Sequence, residues 1–321
     1  MAETTQTPPG SPKDTAFRRM KDLPDAHLMG PGTPMCAGCG GLETVRLFQE
    51  ILGTRTVFVN AAGCMTLLSS YPHTPFSGSW FYTAMASAPA GAQGVRDALD
   101  LRLARGEMVM EEDQHVVVLT GDGSAGGIGL SSTSGAIERG LDFIYLCYDN
   151  EGYGNTGHQS SASTPLGAST ATAHGPAGWG GQKKDLFALW AAHNPPFVAT
   201  LSPAEPVDMA RKLETALTLS GPRLFITQAP CPTGWHFEPR ETVHIAQLAV
   251  KTGLWPLKTF QDGRIEHTKF PQPKGKRPPV EEYLRAQGRF AHLFAPKRQE
   301  DVLEKIQQDV DAYWERAASA A

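Results

Sequence analysis

One stretch constrains the chain more than any other: HVVVLTGDGSAGGIGLSSTSGAIERGLDFIYLCYDN, residues 115–150. A β-branched apolar run ends at Thr120, Gly121-Asp122-Gly123 turns sharply, a helix-forming segment follows, and a second apolar run ends at Asp149-Asn150. Unbroken apolar strands belong to parallel sheets covered on both faces, and such strands need a helical crossover between them. The rest of the text repeats this alternation. GLETVRLFQEILG has helical spacing, TRTVFVNAAG reads as a strand entering a glycine turn, and AMASAPAGAQGVRDALDLRLA becomes helical. AEPVDMARKLETALTLS reads as a helix and RLFITQAP as a strand. VEEYLRAQGRFAHL and VLEKIQQDVDAYWERAA close the chain as helices. The fold class expected is α/β, a mostly parallel sheet flanked by helices. Residues 1–30, rich in Pro, Thr and Lys, read as a flexible N-terminal arm or a segment draped over a partner. Residues 31–321 read as one domain with a C-terminal helical extension. A basic, Pro-rich stretch runs from Lys269 to Pro279.

The turn carries chemistry. Asp122 and Asn150 are 28 residues apart, about one βαβ step, so they are expected at adjacent strand ends. Mg²⁺ takes hard oxygen donors in an octahedron, few of them from protein and the rest from phosphate and water. The Asp122 carboxylate, the Asn150 amide oxygen and the Gly152 carbonyl provide one face of such a site. Gly121 and Gly123 allow backbone to approach a diphosphate closely. A second reading exists, because Gly121, Gly123 and Gly126 also satisfy GxGxxG and Asp149 stands where a ribose-binding acid would. That reading, a nicotinamide-dependent dehydrogenase, sets the Asp122 carboxylate beside a pyrophosphate with no cation between them.

Of 5 cysteines, Cys36 and Cys39 form the C-x-x-C of MCAGCGG, Cys64 lies in NAAGCMT and Cys231 in APCPTGW. Four thiolates in Gly- and Pro-rich loops suit a 4Fe-4S cluster or a structural zinc. A redox pair uses only the first two, and four unrelated buried thiols are the plain alternative. Cys147, inside an apolar strand, reads as core. His73 and His158 could face a substrate, but a solvated or core histidine is the commoner case.

The formal net charge of -4 and pI of about 6.2 argue against nucleic acid or an anionic membrane as partner. No apolar run approaches the roughly 20 residues that span a bilayer, and the N-terminus has no apolar signal core. The expected location is cytoplasmic.

Taken together, MCAGCGG, VNAAGCM, TGDGSAGGIG, YDNEGYGNTGHQSSASTPLGA, APCPTGW, TGLWPL and PVEEYLRAQGRFAHL resemble the β subunit of the 2-oxoacid:ferredoxin oxidoreductases, which includes pyruvate synthase and its aryl and branched-chain relatives. The resemblance implies a thiamine-diphosphate-binding domain with cluster loops. It implies Cys36, Cys39, Cys64 and Cys231 as 4Fe-4S ligands and Asp122, Asn150 and the Gly152 carbonyl as Mg²⁺ ligands. Gly121, Gly123 and Ser124 would line the diphosphate, and Asn155 would face the substrate. The implied reaction is CoA-dependent oxidative decarboxylation of a 2-oxoacid to acyl-CoA and CO₂, with electrons leaving through the cluster. Partner chains are implied as well. An α subunit supplies the Glu against the aminopyrimidine, ferredoxin-like and CoA-site subunits complete the enzyme, and ferredoxin or NAD accepts electrons through another subunit. Glu151 sits at the diphosphate end and reads as structural. One segment departs from the family pattern. Ala86-Ser87-Ala88-Pro89 replaces the run usual in pyruvate-type members, which disfavours pyruvate as substrate. A non-redox thiamine decarboxylase with structural zinc is the remaining alternative beside the dehydrogenase.

Overall fold

The computed structural model describes residues 15–70, 72, 74–175, 177–269 and 277–319. Among these, eight strands form one sheet: β1 (Thr56–Ala61), β2 (Ser79–Thr83), β3 (His115–Gly121), β4 (Phe143–Asp149), β5 (Phe197–Leu201), β6 (Pro222–Gln228), β7 (Lys258–Gln261) and β8 (Arg264–His267). Their order is β2-β1-β3-β4-β6-β5-β7-β8. The first six are mutually parallel, and β7 and β8 run antiparallel at one edge. The fold class read from the sequence is the one observed.

Period-2 alternation explains the layers. Val117, Leu119, Ile144 and Leu146 point to one face, where helices α1 (Gly40–Leu52) and α5 (Pro206–Leu217) bury Val45, Phe48, Met209 and Leu213. Val116, Val118, Tyr145 and Cys147 point to the other. There α2 (Ala88–Ala104), α3 (Leu130–Arg139), α4 (Leu186–Ala191), α7 (Thr242–Thr252) and α9 (Glu300–Ser319) contribute Leu99, Ile137, Trp190, Ile245 and Leu303. Each fully buried side chain of this size stabilises the fold by about 1.5–3 kcal/mol. Two short helices, α6 (Pro232–Trp235) and α8 (Glu281–Arg285), add Trp235, Tyr283 and Leu284 to this second core.

The connections from β1 and β3 leave in opposite directions along the sheet, β1 toward β2 and β3 toward β4. The carboxyl ends of β1 and β3 therefore frame a topological switch point, where open α/β sheets hold ligands. Cys64 follows β1, and Asp122 follows β3.

Several elements differ from the sequence expectations. The segment 280–293 is not one helix. It breaks after Arg285, passes through extended Gln287, and resumes as a 3-10 turn, Gly288–Leu293. A side chain at Gly288 would press to 2.7 Å from His236 Cβ, and the break turns Arg289 inward. The β7–β8 hairpin closes on Asp262-Gly263, both with positive φ, the chemistry of a tight hairpin turn. Residues 15–30, expected within a flexible arm, lie against the body. Arg211 Nε donates to the Phe17 carbonyl at 2.6 Å, Ala16 N donates to Glu214 at 2.9 Å, and Gly30 N donates to Pro75 O at 2.8 Å. Residues 1–14 of that arm, His73 and positions 270–276 of the basic stretch lie outside the described residues.

Candidate active site

β3 and β4 pair with Gly121 opposite Tyr148, which brings the residues just beyond both strands together. Asp122 is fully buried there. One terminal atom of the Asn150 amide lies 3.0 Å from Asp122 Oδ1 and 2.8 Å from the Gly152 carbonyl oxygen. As placed, that atom is the amide oxygen, so three oxygens converge; as nitrogen it would donate to both. The other carboxylate oxygen of Asp122 accepts from the Ser161 hydroxyl. Burial holds the Asp122 carboxyl well above the usual range, nearby Asp149 raises it further, and the Ser161 hydrogen bond opposes both. Gly123 is needed for closeness, since a Cβ there would sit 2.2 Å from the Tyr153 ring.

Two cavities open beside this corner. The smaller, about 100 Å³, is lined by Gly63, Gly121, Gly123, Ser124 and Gly152 among others. The Ser124 hydroxyl donates to the Met85 carbonyl at 2.5 Å, tying the start of the 86–89 segment to the turn. The larger, about 660 Å³, is lined by Cys36, Cys39, Cys64, Cys231, His158 and His236 among others. Asn150, Asn155 and Cys64 line both. Asn155 is exposed at that junction.

The four loop cysteines are free thiols and share the larger cavity, while Cys147 is buried in the core. Cys39 occupies the N-cap position of α1, where Leu42 N donates to its carbonyl at 3.1 Å and the nearby Leu42 and Gly41 N–H groups oppose part of the rise in its thiol. Cys231 caps α6, and Gly234 N donates to its sulfur at 3.3 Å. Without a cation, burial raises Cys39 to about 11 and Cys64 to about 12, and neighbouring thiols raise both further. Cys231 is raised by burial too. Cys36, Cys39 and Cys231 all raise Cys64, and Cys36 also raises Cys39 and Cys231, so the four thiols form one electrostatic unit with a backbone donor already aimed at Cys231.

Sequence reasoning missed a buried ionic group beneath the corner. Glu151 sits at φ +61. Its carboxylate accepts from Lys183 Nζ and from Arg289 Nη2, both at 2.6 Å, and Lys183 also reaches Asp149 at 3.1 Å. Burial would raise Glu151, but Lys183 and Arg289 outweigh it and its carboxyl is held low. Glu151 is thus engaged away from both cavities, in keeping with a structural part. No local motif marks Lys183 or Arg289, because their partner is distant in sequence. His158 was weighed as a solvated or core residue; it is buried yet lines the larger cavity, with neither ring nitrogen hydrogen-bonded among the described residues.

Comparison with known proteins identifies the family to which this corner belongs. Residues 61–227 match the family described as "Thiamine pyrophosphate enzyme, C-terminal TPP binding domain". Pyruvate synthase subunit PorB of Methanothermobacter marburgensis is 44% identical over 294 residues, 90% of this chain and 97% of the relative. Ketoisovalerate oxidoreductase subunit VorB of Pyrococcus abyssi is 37% identical over 314 residues, 95% and 96% of the two chains. Among solved structures, a 2-oxoglutarate:ferredoxin oxidoreductase from Magnetococcus marinus shares the fold, with a TM-score of 0.57 and 20% identity over 80% of this chain and 89% of that one. With the thiamine match over the turn itself and these relatives spanning nearly the whole chain, the protein belongs to the thiamine-diphosphate-binding β subunits of the 2-oxoacid oxidoreductases.

Proposed function

We propose that this chain is the thiamine-diphosphate-binding subunit of a multi-subunit enzyme that oxidises a 2-oxoacid to an acyl-CoA and CO₂. It would hold Mg²⁺ through Asp122, Asn150 and Gly152, and a 4Fe-4S cluster through Cys36, Cys39, Cys64 and Cys231. The observation that carries the reading is the convergence of the Asn150 amide on the Asp122 carboxylate and the Gly152 carbonyl, at 3.0 and 2.8 Å. Adjacent ligands of an octahedral Mg²⁺ with bonds of 2.0–2.1 Å are separated by about 2.9 Å, so with the amide oxygen turned inward, as a cation would require, the spacing fits the ion. Mg²⁺ held there would also add positive charge beside the buried Asp122. The adjoining glycine-lined cavity suits a diphosphate.

The cysteine cavity fits a cluster better than zinc. One ion bound by thiolates at 2.3 Å draws them to roughly 3.8 Å of each other, and among the described residues no three His, Cys, Asp or Glu side chains could hold a single metal ion. A cluster binds one thiolate per iron and spaces them more widely. Family membership removes the support for the nicotinamide reading.

Bound thiamine diphosphate would supply an electron sink for decarboxylation. The chain's own residues orient and enclose it. The Asp122–Asn150–Gly152 corner fixes the diphosphate end, and Asn155, exposed where the cavities meet, stands where a substrate oxygen could be held. Among the described residues neither cavity is lined by an Asp or Glu, in keeping with an α subunit as the source of the aminopyrimidine carboxylate. Phe81, Tyr82 and Ile128, exposed on β2 and beyond the turn, support a covering partner there. Ferredoxin-like and CoA-site chains, and ferredoxin or NAD as acceptor, complete the proposal. The relatives' names weigh toward pyruvate or a branched-chain 2-oxoacid, against the expectation drawn from Ala86–Pro89. Among the described residues no helix is long and apolar enough to cross a membrane.

The test compares the chain alone with the chain co-expressed with its partners, both purified without oxygen. The reading requires a brown protein with a broad band near roughly 400 nm and 2-oxoacid-dependent dye reduction only in the complex. A colourless complex, or full activity of the isolated chain, rejects it.

A further inference from the structure

We propose that Arg289 is a positioning residue that locks the Asn150–Gly152 loop to the Cys231 loop, so that the two cofactor sites keep a fixed relation. The inference rests on the reading above and concerns a residue outside both ligand sets.

Arg289 has no exposed side-chain surface. Its Nη2 donates to Glu151 Oε2 at 2.6 Å, and Glu151 lies between Asn150 and Gly152 in the chain. The face of its guanidinium covers the Trp235 ring, with Cζ 3.7 Å from the centroid. Trp235 in turn donates its Nε1–H to the Asn150 carbonyl at 2.9 Å, and its backbone N–H to the Cys231 carbonyl at 2.8 Å. Gln287, on Arg289's own segment, accepts from its Nε at 2.9 Å and orients the plane. The result is a closed circuit: Arg289 to Glu151, along the chain to Asn150, across to Trp235 and back to Arg289. Cys231 is attached at the Trp235 corner. Neither loop can shift without breaking a link of this circuit.

The geometry needs arginine. Charge alone would serve Glu151, whereas a flat cation is needed to donate at its edge while stacking with its face. Buried ion pairs seldom add net stability over apolar packing, so orientation is the better account of a cation buried this deeply.

The test uses the enzyme assembled with its partner chains. Arg289→Met should weaken thiamine diphosphate binding about tenfold or more and alter the EPR line shape of the reduced cluster, although no ligand is touched. Arg289→Lys should restore cofactor affinity through Glu151 but not the line shape, since the stack on Trp235 is gone. Trp235→Phe keeps an aromatic face under Arg289 and removes the Nε1–H together with the five-membered part of the ring. It should loosen thiamine diphosphate even though it sits on the cysteine loop, and it decides the matter if Arg289→Met fails to assemble. Unchanged cofactor affinity in Trp235→Phe, or a wild-type EPR signal in Arg289→Met, overturns the proposal. A wild-type enzyme lacking iron or thiamine would instead defeat the functional reading beneath it.

Discussion

Asn150 Nδ2 stands 3.8 Å from Cys64 Sγ, so the residue that closes β4 reaches the thiol that follows β1. The far side of the same amide faces Asp122 and Gly152. One side chain thus borders the proposed metal corner and the proposed cluster cavity.

Asp122 is the only ionised side chain proposed for Mg²⁺. Asp122→Ala is expected to weaken thiamine diphosphate binding by roughly 10²-fold or more and to leave iron content unchanged. Thiamine and iron measured after desalting check both halves, and wild-type thiamine retention would reject the ligand assignment.

The cysteines divide four to one. If these four hold the proposed cluster, serine at Cys36, Cys39, Cys64 or Cys231 would leave one iron without its thiolate, so each variant should lose iron or carry a labile cluster. Cys147→Ala should keep its iron and cost about 1 kcal/mol or somewhat more in core packing. Iron content and the reduced EPR signal across the five variants decide. A bleached Cys147→Ala beside an intact Cys231→Ser would mean the wrong set.

Asn155 tests the substrate position. A contact made mainly in the transition state is worth about 2–4 kcal/mol, or on the order of 10²–10³ in rate. Asn155→Ala should therefore lower kcat/KM by that factor while thiamine content stays near wild type. Steady-state kinetics with an artificial dye measure it, and an unaltered kcat/KM removes the residue from the reaction.

His158 gives a pH dependence of known sign. Burial lowers its imidazole from the ordinary value to about 4, and Arg289 pushes the same way. Between about pH 6.5 and 4 the unfolded chain binds a proton that the folded chain refuses, so stability falls as pH falls through that window. The full effect is on the order of 3 kcal/mol. In His158→Leu this part of the slope should vanish. Thermal melts of both proteins from pH 4.5 to 7 give the comparison, and parallel curves would rule out a buried neutral histidine.

Among the strands buried on both faces, β3, β4 and β6 were readable in the sequence and β5 was not. β3 and β4 announce themselves because Val116–Thr120 and Phe143–Tyr148 are apolar or β-branched without a break. β2 escaped notice because Phe81 and Tyr82 are exposed on an edge, so burial imposes no pattern on it. That Asp122 and Asn150 meet was legible because a βαβ step fixes their separation. Lys183 and Arg289 were not, because their meeting with Glu151 depends on chain folded back over 32 and 138 residues. The broken segment at Gln287 was misread for the same reason: apolar spacing there suits a helix, and only the inward pull of Arg289 and the crowding at Gly288 forbid it.

The aromatic edge strand has a consequence for how such an enzyme is made. β2 pairs with β1 on one side only, and it carries Phe81 and Tyr82 facing outward. An uncovered edge of this kind is a template for strand-to-strand association between copies. Among the described residues this edge carries no further strand, so a partner chain seated on it would remove that hazard in the same contact.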